Sequence, residues 1–203
     1  MTVELVSVGT EILMGNILNS NTQYLAEKCA MLGFNMYHQV TVGDNYGRMK
    51  EVVATAVNRA DIVILTGGLG PTEDDLTKEV CAEVMGMELV EDPHTRQHIE
   101  EFFHNNIYRE IPANNWKMTT VPRGARVLDN HNGMAPGLIL EKDGKTAILL
   151  PGPPGELYPM FEQQVFPYLE TRENASLVSK TLKICGHGES QVEDQLIDLI
   201  DGQ

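Results

Sequence analysis

The sequence predicts an α/β protein with a doubly wound, mostly parallel sheet, because strand and helix patterns alternate along its first half. Short apolar strands are predicted at residues 3–8, 36–42 and 62–65. Each is followed by apolar residues at helical spacing, within residues 25–32, 49–57 and 76–84. Such alternation favours parallel strands joined by right-handed crossovers. The run Ile-Val-Ile-Leu at 62–65 is typical of a strand that is covered on both faces.

Capping residues mark where the first two of these helices begin. Ser20 followed three residues later by Gln23 predicts a capping box for the first helix. Asp44 or Asn45 is predicted to cap the second helix.

The pattern is weaker in the second half of the chain. A helix is predicted from Asp92 to Phe103 with Ile99 and Phe102 inward, followed by a stretch at 105–121 that is mostly loop. Further elements are expected as follows: a hairpin of residues 138–140 and 146–150, a helix to about 169, a linker, a strand at 181–184 and a helix at 189–200. We therefore expect one domain over residues 1–170. Residues 171–203 are too few to make a core of their own.

Composition excludes several classes of function. The 203 residues carry a net charge of −14, and no cluster of Lys and Arg is available to bind a nucleic acid backbone. No apolar run reaches the length of a membrane span, and residues 1–13 lack the features of a signal peptide. The three cysteines have neither zinc-type nor disulfide-type spacing. These observations predict a cytoplasmic protein that binds neither nucleic acid nor membrane.

The stretch TGGLGPTEDDLT at residues 66–77 is the strongest candidate for a functional site. It lacks the Gly-Lys-Ser/Thr of a Walker A loop and the third glycine of a dinucleotide fingerprint. Capping alone is one interpretation, in which Thr72 caps a helix and Asp75 completes the box. That accounts for the acids but not for Gly67, Gly68 and Gly70. Glycines at a strand end favour backbone N–H groups that closely approach a phosphate.

Carboxylates beside a phosphate require a cation between them. Mg²⁺ or Mn²⁺ takes oxygen ligands from both, which makes Asp74 and Asp75 candidate metal ligands. Glu11 follows the first strand and is expected at the same edge of the sheet. Asn19 and Asn21 offer amides there, although turn and cap chemistry is the competing interpretation.

Two further motifs are less specific. LLPGPPGEL at 149–157, with Pro151 and Gly152 at its centre, is equally consistent with a rigid turn and with an anion site at a helix N-terminus. His94 and His98 have a spacing that could hold a metal, but their helix is expected to be exposed and metal binding there is disfavoured.

Four motifs together resemble the N-terminal domain of the CinA (competence/damage-inducible protein A) family: VGTEILMGNILNSN, TGGLGPTEDDLT, GMAPG and LLPGPPGELYPMF. That domain is similar to molybdenum-cofactor-biosynthesis, or molybdopterin-binding, domains. The resemblance implies a three-layer α/β/α fold with a mixed sheet and metal-dependent ADP-ribose pyrophosphatase activity. The tail resembles the start of a KH-like domain. The 203 residues contain no stretch that resembles the family's C-terminal amidohydrolase domain, so that activity is not expected of them.

The resemblance also implies roles for particular residues. Asp75 matches an essential aspartate, with Asp74 beside it and Glu11 as a second ligand or base. The expected binding residues are Gly67, Gly68, Gly70, Thr72, Asn19, Lys117, Pro151 and Gly152. A divalent metal (Mg, Mn or Co), a nucleotide substrate and a homodimer are expected. Two departures from the family pattern, Met118 and Met134, fall where the substrate pocket is expected.

Two alternatives to the hydrolase remain open at this point. One is a transferase-like domain that binds a molybdopterin or a nucleotide with the same loops. The other is a non-catalytic module that binds nucleotide and dimerises.

Overall fold

A computed structural model describes residues 1–105, 110–172 and 183–200. The strands are β1 (Thr2–Val8), β2 (Asn35–Val42), β3 (Ile62–Thr66), β4 (Leu89–Glu91), β5 (Thr120–Pro122), β6 (Arg126–Leu128), β7 (Gly137–Lys142) and β8 (Lys145–Leu150). The α-helices are α1 (Thr10–Leu13), α2 (Ser20–Met31), α3 (Tyr46–Arg59), α4 (Thr77–Val84), α5 (Pro93–Asn105), α6 (Pro154–Met160), α7 (Phe166–Glu170) and α8 (Glu189–Ile200). A 3₁₀ helix spans Ala113–Thr119, and a π-helical turn, Phe161–Val165, joins α6 to α7.

The main sheet is mixed and mostly parallel, as predicted. Its six strands have the order β2-β1-β3-β8-β7-β6, and β2, β1, β3 and β8 run parallel. β7 and β6 are antiparallel additions at one edge. The predicted hairpin is confirmed as β7 and β8. Its turn residues Asp143 and Gly144 have φ angles of 50° and 76°, as a two-residue type I′ turn requires.

Helices cover both faces of the sheet, which confirms the three-layer arrangement. Successive residues of each strand face opposite layers, so Leu5 and Val6 belong to different cores. α3 and α4 supply Met49, Val53, Val80 and Cys81 to one core. α2, α6 and the π-helical turn supply Leu25, Cys29, Leu157 and Phe161 to the other.

A third cluster lies beside the sheet. The predicted helix is confirmed as α5, which buries Ile99 and Phe103 against Met118, whereas Phe102 is only partly buried. The prediction of loop at 105–121 is wrong for the 3₁₀ helix Ala113–Thr119 and for the start of β5. Three-residue turns, such as the bond from the Asn115 N–H to the Pro112 carbonyl at 3.0 Å, produce no 3.6-residue pattern in the sequence.

The cap of α2 differs from the prediction by one residue, whereas the cap of α3 is one of the two predicted residues. Asn19, not Ser20, caps α2, because its Oδ1 accepts from the Thr22 N–H at 3.2 Å. Gln23 does not complete a box, and its Nε2 donates to Glu27 instead. Of the two candidates for α3, Asn45 is the cap, which leaves the Asp44 side chain free for another role.

The tail beyond α7 is described only in part. The predicted helix at 189–200 is confirmed as α8. Half of the predicted strand, residues 181–182, lies outside the described residues, as does most of the predicted linker; Lys183 and Ile184 are not in a strand. In the described ranges no helix is both long and apolar enough to cross a membrane.

Candidate functional site

A cavity of about 600 Å³ opens where β1, β3 and β8 end. The three strands are adjacent and parallel, so the loops that follow them meet at one edge of the sheet. Nearly all of the predicted site residues line this cavity: Glu11, Asn19, Gly67, Gly68, Gly70, Thr72, Asp74, Asp75, Pro151 and Gly152. Lys117 is the exception.

The glycine loop after β3 has a shape that only glycine adopts easily. Gly67 and Gly68 have φ angles of 92° and 67°. Thr77 fixes the loop with two hydrogen bonds. Its side-chain Oγ1 donates to the Gly67 carbonyl at 2.8 Å, and its backbone N–H donates to the Gly68 carbonyl at 3.1 Å. The loop is therefore tied to the first residue of α4 and is a rigid part of the cavity wall.

The phosphate contact predicted for the Gly67 N–H is wrong, because that group extends the sheet by donating to the Leu150 carbonyl at 3.0 Å. The N–H groups of residues 68–70 differ, since none has a hydrogen-bond acceptor within the described ranges. The Gly152 N–H also has no acceptor within the described ranges, and it lies beside the glycine loop, since a Cβ added to Gly152 would be 3.6 Å from the Gly67 Cα. These donors remain available for an anion.

Thr72, Asp74 and Asp75 form a closed turn of their own. Thr72 Oγ1 lies 2.5 Å from Asp74 Oδ1 and 2.6 Å from Asp75 Oδ2, and the Thr72 N–H donates to Asp75 Oδ2 at 2.9 Å. The capping interpretation is wrong, because α4 begins at Thr77 and its N-cap, Leu76, makes no side-chain cap bond. The turn thus holds the two carboxylates side by side at the cavity.

One hydroxyl between two carboxylates is an unusual arrangement. The Thr72 hydroxyl has a single hydrogen, so it can donate to only one of the two oxygens beside it. The hydrogen bond from Thr72 lowers the pKa of Asp74, which keeps that carboxyl ionised. The N–H and O–H of Thr72 supply one hydrogen for each carboxylate, which leaves two negative charges side by side, and a cation next to both carboxylates would offset that charge.

Lys117 lies behind this turn instead of in the cavity wall. Its Nζ donates to the carbonyl oxygens of Thr72 and Asp75 at 2.7 and 2.6 Å. The buried Lys78 in turn donates to the Lys117 carbonyl at 2.7 Å, and burial lowers the pKa of Lys78. Lys117 therefore closes the acidic turn by a contact with its main chain, in place of the ligand contact that the family resemblance implied.

Replacing Lys117 by methionine is expected to loosen the acidic turn. The substitution removes both bonds to the carbonyls of Thr72 and Asp75. The loss of about 1 kcal/mol of local stability is expected to make exchange of the Asp75 amide hydrogen roughly fivefold faster. Hydrogen–deuterium exchange of residues 72–76 measures the effect. Lys142→Met is the matched control, because Lys142 donates to the Gly86 carbonyl at 2.7 Å, far from the turn in the chain. Unchanged exchange in Lys117→Met would show that the contact does not hold the turn.

The loop after β1 adds further acids to the cavity. Glu11 is exposed, and its carboxylate lies over Gly9, where an added Cβ would be 2.6 Å from Oε1. Asp44 was not predicted as a site residue. Its Oδ2 accepts from the N–H and the hydroxyl of Thr10, both at 2.8 Å, which anchors the start of α1. The sequence gives one signal for this role of Asp44. Asp44 and Asn45 are both suited to cap α3, only one of them is needed, and Asn45 is the one that does so.

Asparagines of the α2 N-terminus connect the first and third loops. Asn19 donates to Ser7 Oγ at 2.9 Å while it caps α2. Asn21 donates to the Gly152 carbonyl at 2.7 Å, which fixes the Pro151–Gly152 turn. Asn21 Oδ1 is buried and has no partner within the described part of the chain. Asn19 and Asn21, whose amides were expected to be available to a ligand, therefore make hydrogen bonds that hold the loops of the cavity together.

All charged side chains among the described residues that line the cavity are acidic. Five carboxylates are among its lining residues: Glu11, Asp44, Asp74, Asp75 and Glu156. No Lys, Arg or His belongs to the described residues that line it. Met118 and Met134, the two departures from the family pattern, are also in its wall. Among the described residues, an anionic ligand would therefore meet N–H donors and carboxylates but no cationic side chain.

The donor set fits a hard cation with few protein ligands. Within the described ranges, no three His, Cys, Asp or Glu side chains are arranged to hold an ion. Asp74 and Asp75 around Thr72 offer two carboxylates, which suits Mg²⁺ bound mainly by water and substrate phosphate. His94 and His98 do not share a ligand position, since His94 bonds to Asp129 and His98 to the Gly133 carbonyl.

Comparisons with known proteins agree on the family. The model of a family described as "Probable molybdopterin binding domain" matches residues 4–171. A crystal structure of "the protein CinA with unknown function" from Thermoplasma acidophilum is similar with a TM-score of 0.74 and 30% identity, covering 80% of this chain and 95% of that one. The chain belongs to the CinA family. Residues 4–171 of this CinA domain therefore belong to the domain family of that description.

Other relatives of this CinA domain are longer proteins. It is 53% identical over 200 residues to a "Putative competence-damage inducible protein" of Caldicellulosiruptor bescii, covering 98% of this chain and 48% of that protein. A protein of the same description from Clostridium acetobutylicum is 50% identical over 203 residues, covering 100% and 49%. The chain spans about half the length of the curated relatives it matches. The molybdopterin biosynthesis enzyme MoaB of Thermus thermophilus shares the fold alone, with a TM-score of 0.53, 16% identity and coverage of 84% and 96%.

Proposed function

We propose that this CinA domain is a metal-dependent hydrolase of a nucleotide diphosphate, which cleaves ADP-ribose into AMP and ribose 5-phosphate. One observation carries the proposal. The N–H donors of residues 68–70, which have no acceptor among the described residues, and the paired carboxylates of Asp74 and Asp75 line one cavity, and no cationic side chain is among the described residues of its lining. A pyrophosphate can occupy such a cavity only with a divalent cation beside the acids.

Each group of the cavity then has a role. The N–H groups of residues 68–70 and of Gly152 bind phosphate oxygens and hold the pyrophosphate in one orientation. Asp74 and Asp75 would hold Mg²⁺, Mn²⁺ or Co²⁺, which when bound neutralises phosphate charge and makes water a better nucleophile. Glu11 accepts the proton of the attacking water. Water adds to one phosphorus, the P–O–P bond breaks, and the bridging oxygen leaves with the other phosphate.

Incubation with a panel of nucleotide diphosphates tests the proposal. ADP-ribose with Mg²⁺, Mn²⁺ or Co²⁺ is expected to give AMP and ribose 5-phosphate, identified by chromatography, and EDTA is expected to stop the reaction. Formation of an adenylylated pterin from a molybdopterin-type acceptor would favour the transferase-like alternative. Tight binding of ADP-ribose without turnover under any metal would contradict hydrolysis and favour a nucleotide-binding module. Sedimentation with and without ADP-ribose tests the expected homodimer.

A further inference from the structure

The segment after β1 exposes a cluster of large apolar side chains. Leu13, Met14, Ile17 and Leu18 are 55%, 71%, 53% and 92% exposed. Single exposed hydrophobic residues are normal on a protein surface, but a group of this size within six residues is typical of a binding surface. The cluster is at the edge of the sheet where the cavity opens.

Hydrogen bonds hold this segment in a fixed shape. Gly15 has a φ angle of 74° and donates to the Ile12 carbonyl at 3.0 Å, while the Asn16 N–H donates to the Glu11 carbonyl at 2.9 Å. This pair of bonds is the usual way to end a helix with a left-handed glycine. The Ser20 N–H donates back to the Leu18 carbonyl at 2.9 Å. The apolar side chains therefore point outward from an ordered backbone.

Only part of the cluster belongs to the cavity. Ile17 and Leu18 are lining residues, together with Ile12, whereas Leu13 and Met14 are not. The same cavity holds the N–H donors of residues 68–70. One ligand can therefore meet an anion site and an apolar surface at once, and a volume of about 600 Å³ is in the range of small-molecule sites.

We propose that Ile17 and Leu18 form a platform for the flat heterocycle of a nucleotide whose phosphates bind at residues 68–70. The placement of the phosphates rests on the proposed function. A heterocycle has two faces that need no hydrogen bonds, so it can cover Leu18 without leaving a polar group unpaired. The platform selects ligands that carry a ring over those that carry only a sugar phosphate.

Binding of AMP and of ribose 5-phosphate in the presence of Mg²⁺ tests the platform. Both carry one phosphate on a ribose, and only AMP has the ring. Isothermal titration is expected to show that Leu18→Ser weakens AMP binding about tenfold and leaves ribose 5-phosphate unchanged, because burial of a leucine side chain contributes on this scale. Met14→Ser is the matched control, since Met14 is exposed in the same segment but does not line the cavity. It is expected to bind both ligands as the wild type does.

Several outcomes would overturn the proposal. The first is that Leu18→Ser weakens the binding of AMP and of ribose 5-phosphate equally. The second is that Met14→Ser weakens AMP binding as much as Leu18→Ser does. The third is that the wild type binds neither ligand. Dissociation of a dimer by both substitutions, measured by sedimentation, would identify the cluster as an interface between copies of the chain and would also overturn it. Neither ligand contains a pyrophosphate, so the comparison stands even if ADP-ribose is not hydrolysed.

Discussion

Asp75→Asn is expected to reduce ADP-ribose hydrolysis by roughly a hundredfold or more while the domain stays folded. Asn keeps the size of the side chain but has one oxygen and no charge. In the wild type Asp75 Oδ2 accepts from the Thr72 N–H at 2.9 Å and lies 2.6 Å from the Thr72 hydroxyl. Asn offers one neutral oxygen to Thr72 and a cation in place of two oxygens that share a negative charge, so the metal is held more weakly.

The same substitution is expected not to lower the thermal stability of the domain. Asp74 and Asp75 place two negative charges beside Thr72, and an amide removes one of the two. We therefore expect the thermal midpoint of Asp75→Asn to equal or exceed that of the wild type, as is common where a functional site is strained. Loss of activity could then not be attributed to unfolding.

Glu73→Gln is the matched control for this experiment. Glu73 carries the same charge in the same loop, yet it is exposed and is not among the residues that line the cavity. Its turnover of ADP-ribose is expected to stay within about twofold of the wild type, since surface substitutions have small effects. Hydrolysis by Asp75→Asn at the wild-type rate would show that Asp75 has no part in the reaction.

Gly67→Ala is expected to destabilise the domain by about 3 kcal/mol. The φ angle of 92° is strained for alanine, and an added Cβ would lie 2.4 Å from the Val8 carbonyl oxygen. That oxygen belongs to the backbone at the end of β1 and cannot rotate away. Gly67 is also bonded on both sides, through its N–H to Leu150 and through its carbonyl to Thr77, so it cannot shift without breaking a contact.

Urea unfolding followed by circular dichroism measures this loss. Gly155→Ala is the control, because an added Cβ there meets nothing within 4 Å. Its stability is expected to stay the same or to rise by up to about 1 kcal/mol, because Gly155 is in α6 and alanine is the better residue in a helix. A cost below about 1 kcal/mol for Gly67→Ala would mean that the loop can move relative to β1 and is not a rigid part of the cavity wall.

The strands and the place of the cavity could be predicted because their signals are local. The run at 62–65 needs only its own residues to indicate a buried strand, and β3 is fully buried. Parallel strands then bring the loops after β1 and β3 to one edge, and Glu11 and Asp75 do line one cavity. The type I′ turn is likewise predicted by two neighbouring residues, Asp143 and Gly144.

The roles of individual side chains could not be predicted, because partners far apart in the chain decide them. Asn19 and Ser20 are both good caps, and the choice falls on Asn19, whose amide also reaches Ser7 on β1. Lys117 contacts the Asp75 carbonyl across 42 positions of sequence. The sequence around Gly67 predicts that its N–H binds a phosphate, because no neighbouring residue indicates the hydrogen bond to the Leu150 carbonyl. Periodicity and motif spacing carry no information on such pairings.

The position of β8 in the sheet has a consequence for biosynthesis. β3 lies between β1 and β8, but β8 leaves the ribosome some 80 residues after β3. Until then the nascent chain carries a strand of four consecutive apolar residues with one unpaired edge, which is the kind of surface that aggregates. Neither the cavity nor a closed core can form before Gly152 and the helix after it have been synthesised. Shortened versions of this domain therefore have to retain β8 and α6 to avoid aggregation.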